Sequence, residues 1–103
     1  MSQTKHFRSF DTFYPYYLSE HSHSTCRQLH FVGSTLTLVA LAYMLLNQTW
    51  WMIFLLPIIG YGFAWVGHFF FEKNKPATFI YPWYSFLGDW VMYKDMLTGR
   101  VRF

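Results

Sequence analysis

Two charge-free apolar runs, separated by only three polar residues, constrain this chain more than anything else in it. Residues 31–46 read FVGSTLTLVALAYMLL, and residues 50–71 read WWMIFLLPIIGYGFAWVGHFFF, with His68 as the one histidine inside them. As a helix the second run measures about 33 Å, against a bilayer hydrocarbon core of about 30 Å. The first run, extended back to Gln28, gives about 28 Å, enough with local thinning or snorkelling of Arg27. Asn47, Gln48 and Thr49 alone lie between the runs, and so short a break allows only antiparallel neighbours. Charged residues are 13% of the chain and hydrophobic ones 53%, where an ordinary soluble domain is about 25% charged. A soluble domain of 103 residues has nothing with which to cover two such helices. The expectation is therefore an all-α membrane protein with a single membrane domain over residues 1–103. Its centre is a two-span transmembrane hairpin, with spans over about 28–46 and 50–71.

Basic residues orient the hairpin. Lys5, Arg8 and Arg27 precede the first span, Lys73, Lys75, Lys94, Arg100 and Arg102 follow the second, and the turn has none. This asymmetry places both ends on the cytoplasmic side, in the inner membrane of a bacterium or the endoplasmic reticulum of a eukaryote. Trp50 and Trp51 suit the interfacial belt at the turn, and Pro57 is expected to kink the second span. The flanks, residues 7–27 and 76–99, are too aromatic for disorder and read as amphipathic interfacial helices over the cytoplasmic mouth. In the second flank Phe86, Trp90, Val91 and Leu97 share one helical side, with Ser85, Asp89 and Asp95 nearer the other. A re-entrant span through residues 79–93 would have to bury Asp89 at a cost. No basic run or stripe accompanies the net charge of +3, which excludes nucleic acid as a partner. Cys26 is the lone cysteine, so no internal disulfide forms.

The histidines carry the chemistry. Measured from Gln48, His30 lies 18 residues back and His68 20 residues on, about 27 and 30 Å along antiparallel helices. Their imidazoles therefore reach nearly equal depth at the cytoplasmic face. His21 is nine residues before His30, close enough to fold onto the same mouth, and His23 is near it. An ionisable side chain beside three phenylalanines, as His68 is, is expensive and usually functional. Glu72 shares a helix face with His68. Two or three histidines with a carboxylate and open positions suit non-haem Fe(II), and zinc accepts similar ligands. Asp89 is a further ligand candidate or a partner that fixes an imidazole tautomer. Arg27 can hold a substrate carboxylate in a bidentate contact, and Cys26 reads as a small packing residue.

The runs His21-SHST-Cys26-RQL-His30 and Gly67-His68-FFF-Glu72-KNK-Pro76-Ala77 resemble the small membrane family that includes the fungal 2-hydroxy fatty acid dioxygenase. Phe13-Tyr14-Pro15-x-Tyr17-Leu18 and Gly88-Asp89-Trp90 resemble its short bacterial branch. The likeness runs from about Phe13 to Gly99. It implies Fe(II)-dependent α-oxidation, in which a 2-hydroxy fatty acid and O2 give the acid one carbon shorter. It also implies metal ligation by His21, His30 and His68. Glu72 and Asp89 are then the candidate catalytic carboxylates, and Arg27 and Lys75 the candidate holders of the substrate carboxylate. One departure is Cys26, where Asn is common. The acyl chain is expected to stay among the lipids beside the phenylalanines of the second span.

Two other readings compete. Haem could take His30 and His68 as axial ligands, making an electron carrier. A non-catalytic lipid-binding or assembly protein would use its histidines only at the interface. A two-span hairpin encloses little by itself, so a homodimer is a plausible assembly.

Overall fold

A computed structural model describes residues 7–103; Lys5, counted above, lies outside them. Helix α1 covers Phe10–Ser19, α2 Ser24–Asn47, α3 Leu55–Val66 and α4 Pro82–Leu97. A 3-10 segment, Trp50–Phe54, leads into α3, and a π-helical segment, Gly67–Glu72, continues it; a short 3-10 turn, Ala77–Phe79, precedes α4. No strand occurs among the described residues.

The first long helix begins four residues earlier than expected because two side chains cap it. His23 Nδ1 accepts the Thr25 N–H at 3.2 Å, and Glu72 accepts the His23 N–H. An N-terminal cap and a carboxylate both satisfy amides that the helix leaves unpaired. The other end closes at Gln48, whose backbone is left-handed (φ 55°) and whose N–H reaches the Met44 carbonyl. A left-handed residue at this place is the usual way to stop a helix. The chain then reverses, as the three-residue break requires. Ahead of Pro57, where a kink is expected, the helix type changes: 3-10 gives way to α at Leu55, and Pro57 falls in the first turn of α3, where a missing N–H is tolerated.

Helices α2 and α3 pack along most of their length. A Cβ at Gly33 would stand 2.8 Å from Phe63 Cβ, and one at Gly67 would stand 2.9 Å from Cys26 Sγ; these two positions let the backbones approach. The continuous helical stretches Ser24–Asn47 and Trp50–Glu72 are each long and apolar enough to cross a membrane, and their most apolar windows are only 17% buried. Leu46 and Phe54 are 84% and 76% exposed. Core helices of a soluble protein turn such residues inward; these turn them out.

The buried core lies instead where α1 meets α4. Phe13, Tyr17, Met92 and Met96 are buried there, with Phe7, Phe10, Tyr81 and Tyr84 packed around them. Tyr14 donates to Asp95 at 2.8 Å, and Tyr17 donates to Asp89. Ser85 and Asp95 are buried beside Met92 and Met96 while Phe86 and Leu97 are exposed, so the inward side of α4 mixes polar and apolar groups. Tyr93 of α4 bonds Thr35 of α2 at 2.9 Å, which lays α4 against the end of the hairpin that carries the histidines.

The close approach at Gly33 gives a first prediction. Gly33→Ala should destabilise the protein by about 1–3 kcal/mol through overpacking. Gly62→Ala, where a Cβ meets nothing within 4 Å, should be neutral to stabilising, by up to about 1 kcal/mol. Equilibrium unfolding in detergent measures both; equal costs would mean that the Gly33–Phe63 contact does not hold the hairpin.

Candidate metal centre

His21, His30 and His68 are buried together at the open end of the hairpin. His21 Nε2 lies 3.1 Å from His30 Nε2 and 2.9 Å from His68 Nε2. Each ring is held from behind. His21 Nδ1 is 2.7 Å from the Tyr17 carbonyl, His30 Nδ1 is 2.9 Å from the Cys26 carbonyl, and His68 Nδ1 is 2.7 Å from Asn74 Oδ1. Asn74 presents its oxygen because its Nδ2 donates to the Glu20 carbonyl at 3.1 Å.

These contacts fix the tautomers. A carbonyl oxygen only accepts, so each Nδ1 carries the proton and donates it. In the neutral rings all three Nε2 atoms are then lone-pair acceptors, and they converge with no donor between them. Burial, and after it the neighbouring His30 and His68, hold His21 well below its ordinary titration range, so it remains neutral. Three bare nitrogens at this spacing favour a cation. Nitrogens bound at about 2.0–2.1 Å to one ion, at right angles to each other, lie about 3 Å apart. The donor set also fits, since histidines with a second-sphere acceptor on the other ring nitrogen are the usual metal-ligand arrangement.

Local sequence explains the convergence. Gly67 admits Cys26 of α2 beside the start of the π segment, and π-type bulges recur at functional sites. The segment ends at Lys73, left-handed at φ 61° and bonded through its N–H to the His68 carbonyl. The same carbonyl accepts the Asn74 N–H at 3.1 Å, which turns the Asn74 side chain back onto the ring. His21 sits in the α1–α2 turn, where its carbonyl and that of Ser22 each accept from Arg27 Nη1 at 2.8 Å.

The remaining candidates take varied places. Glu72 lies beside the centre but its carboxylate accepts from Ser22 and from the His23 N–H; it clasps the α2 start. His23 is a helix cap. Arg27 uses Nε for the Arg102 carbonyl at 2.8 Å, so with its Nη1 contacts the guanidinium serves main-chain oxygens. Lys75, one residue beyond Asn74, is exposed. Asp89 borders the centre: it accepts from Tyr17 and shares the lining of a cavity with His30. Burial lifts its carboxyl to about 7, against the opposing pull of the Tyr17 hydroxyl.

Sequence reasoning gave four residues no part in the centre, Cys26 among them as a packing residue. Cys26 joins the three histidines in a buried group whose ligand atoms lie within 4.8 Å of one another; its Sγ stands 3.8 Å from His30 Nδ1, on the side of the ring away from His21. Tyr17 stacks on His21 with ring centres 4.1 Å apart. Asn74 anchors His68. Trp65 has a buried Nε1 with no hydrogen-bond partner and borders a cavity of about 10 Å³ that His30, His68 and Asp89 also line. The Tyr17 and Asn74 positions carried a signal, because each lies within motifs quoted above.

Fold and site together define a class: a helical hairpin whose two long helices are apolar enough to cross a membrane, with a buried three-histidine, one-cysteine group that can hold a metal ion. Within it the chain belongs to the family described as 2-hydroxy-palmitic acid dioxygenase Mpo1-like, which matches residues 7–101. No curated protein and no solved structure matches the chain.

Removing the acceptor behind His68 tests the centre. Asn74→Ala should lower metal affinity about 10–100-fold, read by competition with a chelator. His23→Asn, which preserves the helix cap, should leave it unchanged. The reverse ranking would place the metal elsewhere.

Proposed function

We propose that the protein is an integral membrane enzyme that binds Fe(II) through His21, His30 and His68 and shortens 2-hydroxy fatty acids by one carbon. The observation that carries this reading is the set of three Nε2 atoms, each ring tied at Nδ1, in a chain of the 2-hydroxy-palmitic acid dioxygenase family. The sum balances when one O2 is consumed and the lost carbon leaves as carbon dioxide with one water. Fe(II), when bound, supplies the one-electron chemistry that O2 requires. Imidazole donors also suit zinc, but zinc has no redox role.

The chain's own residues prepare the substrate. Asp89, at the junction of the small cavity and the longer one beside His30, is set to accept a hydrogen bond from the 2-hydroxyl and take its proton. The unpartnered Trp65 indole N–H is a further donor candidate for the polar end of the substrate, beside Arg27 and Lys75. Tyr17 holds Asp89 and backs His21, so one side chain positions the carboxylate and a ligand together.

The outward apolar surface of α2 and α3 supports insertion in a bilayer, and the basic residues outside the turn support cytoplasmic placement of both ends. The metal would then lie at headgroup depth, where an amphiphile's polar end resides. A porphyrin fits this centre poorly, because His21 stands at hydrogen-bond distance between His30 and His68. A purely structural role leaves the three tied tautomers without a purpose.

Anaerobically purified protein should carry close to one iron and convert 2-hydroxypalmitate to the acid one carbon shorter. His68→Ala should lose both. A variant that kept turnover without that ring would end the proposal. Asp89→Asn should keep its iron and lose about 10²-fold or more in kcat, the range of a positioned general base.

A further inference from the structure

A cavity of about 300 Å³ leaves the metal centre in a direction opposite to the phenylalanines of residues 69–71. It starts at His30 and Asp89 and runs between α2 and α3 towards the hairpin turn. Ser34, Thr37 and Leu41 form one wall, and Gly60 and Leu56 the other. Phe86 and Trp90 of α4 cover its start. Beyond His30 and Asp89 no charged side chain lines it. Thr37 spends its hydroxyl on the Gly33 carbonyl at 2.7 Å, which leaves its methyl as the free group.

We propose that this groove is the seat of the acyl chain, with the polar head at His30 and Asp89 and the methyl end near Leu41 and Leu56. The chain thus lies inside the hairpin and not among the lipids beside Phe69–Phe71. A linear amphiphile matches a long, mostly apolar slot that has its ionisable acid and imidazole at one end, with Ser34 and Tyr61 as the further polar side chains along it. From His30 to Leu41 is eleven residues, about 16 Å of helix. An extended hydrocarbon advances about 1.25 Å per carbon, given C–C bonds of about 1.5 Å. The groove therefore holds about a dozen carbons, and a longer chain emerges beyond Leu41.

Gly60 sets the width. Unlike Gly33, it is not needed for helix contact: a Cβ there meets only Thr37 Oγ1, at 3.4 Å. Its missing side chain leaves open the middle of the slot. Gly60 and Thr37 are thus specificity-determining residues, and a larger residue at position 60 divides the groove.

That the head is a 2-hydroxy acid rests on the proposed function; that the groove grips an alkyl chain does not. The test therefore begins without turnover. Iron-loaded protein in nanodiscs, kept free of O2, is irradiated with palmitic acid bearing a diazirine at about its twelfth carbon, the depth of Leu41 by the spacing above, and the labelled peptides are mapped. Label is expected around Leu41 and Leu56. Gly60→Leu should reduce it about tenfold or more, because each displaced methylene contributes roughly fourfold in affinity. Gly62→Leu, where a Cβ meets nothing within 4 Å, should not. If Gly60→Leu fails to hold iron, Leu41→Trp blocks the far end instead. Label confined to Phe69–Phe71, or label indifferent to the blocking variants, overturns the proposal. With O2 admitted, the blocked variants should lose long 2-hydroxy acids at least about tenfold more than short ones. Groove labelling without turnover of any 2-hydroxy acid would uphold the chain site and end the dioxygenase reading.

Discussion

Three imidazole rings, each donating its Nδ1 proton to an oxygen behind it, leave three Nε2 lone pairs pointed at one another. Neutral rings so arranged repel, and a positive charge at their meeting point relieves them. The acceptors are two main-chain carbonyls and one side-chain amide, groups that keep their role at any pH near neutrality. Much of the local backbone serves this arrangement. Gly67 has no side chain so that the α2 start can come close, the π segment redirects the chain after His68, and Lys73 takes a left-handed conformation that returns Asn74 to the ring.

Around this centre the usual order of a globular protein is reversed. The long helices present leucine, isoleucine, phenylalanine and tryptophan outward, while histidine, serine and aspartate lie within. Polar groups so enclosed need partners, and the aromatic flank supplies them. Tyr14 and Tyr17, three residues apart on α1, donate to Asp95 and Asp89, six apart on α4. Two phenol–carboxylate contacts thus join the flanks to each other, and the Tyr17 pair joins them also to His21. A close-packed glycine reinforces the joint, since a Cβ at Gly88 would stand 2.9 Å from the Tyr17 ring.

The hairpin was legible because it follows from apolar run length and a three-residue break, properties that no tertiary contact modifies. The convergence of His30 and His68 was legible for the same reason, since equal distances from a turn give equal depth. His21 was readable as near, but its role came from motif likeness. The partners of the rings were not readable, because they depend on carbonyl directions and on the π segment, which periodicity does not reveal. Arg27 illustrates the limit. Its type suits a substrate carboxylate, yet main-chain oxygens already occupy Nε and Nη1. Trp65 illustrates the converse: a tryptophan in an apolar run reads as lipid-facing, yet its ring packs on Tyr61 and Phe79 and its N–H is buried.

The three rings come from three separate pieces of chain: a turn, a helix that starts the hairpin, and the segment that ends it. Their oxygen anchors extend the set to Asn74, and Asp89 is added through Tyr17. A nascent polypeptide therefore holds at most two of the three nitrogens until its second helix has been made and seated. The meeting of the three lone pairs is therefore a property of the seated hairpin as a whole, and no single segment of the chain carries it.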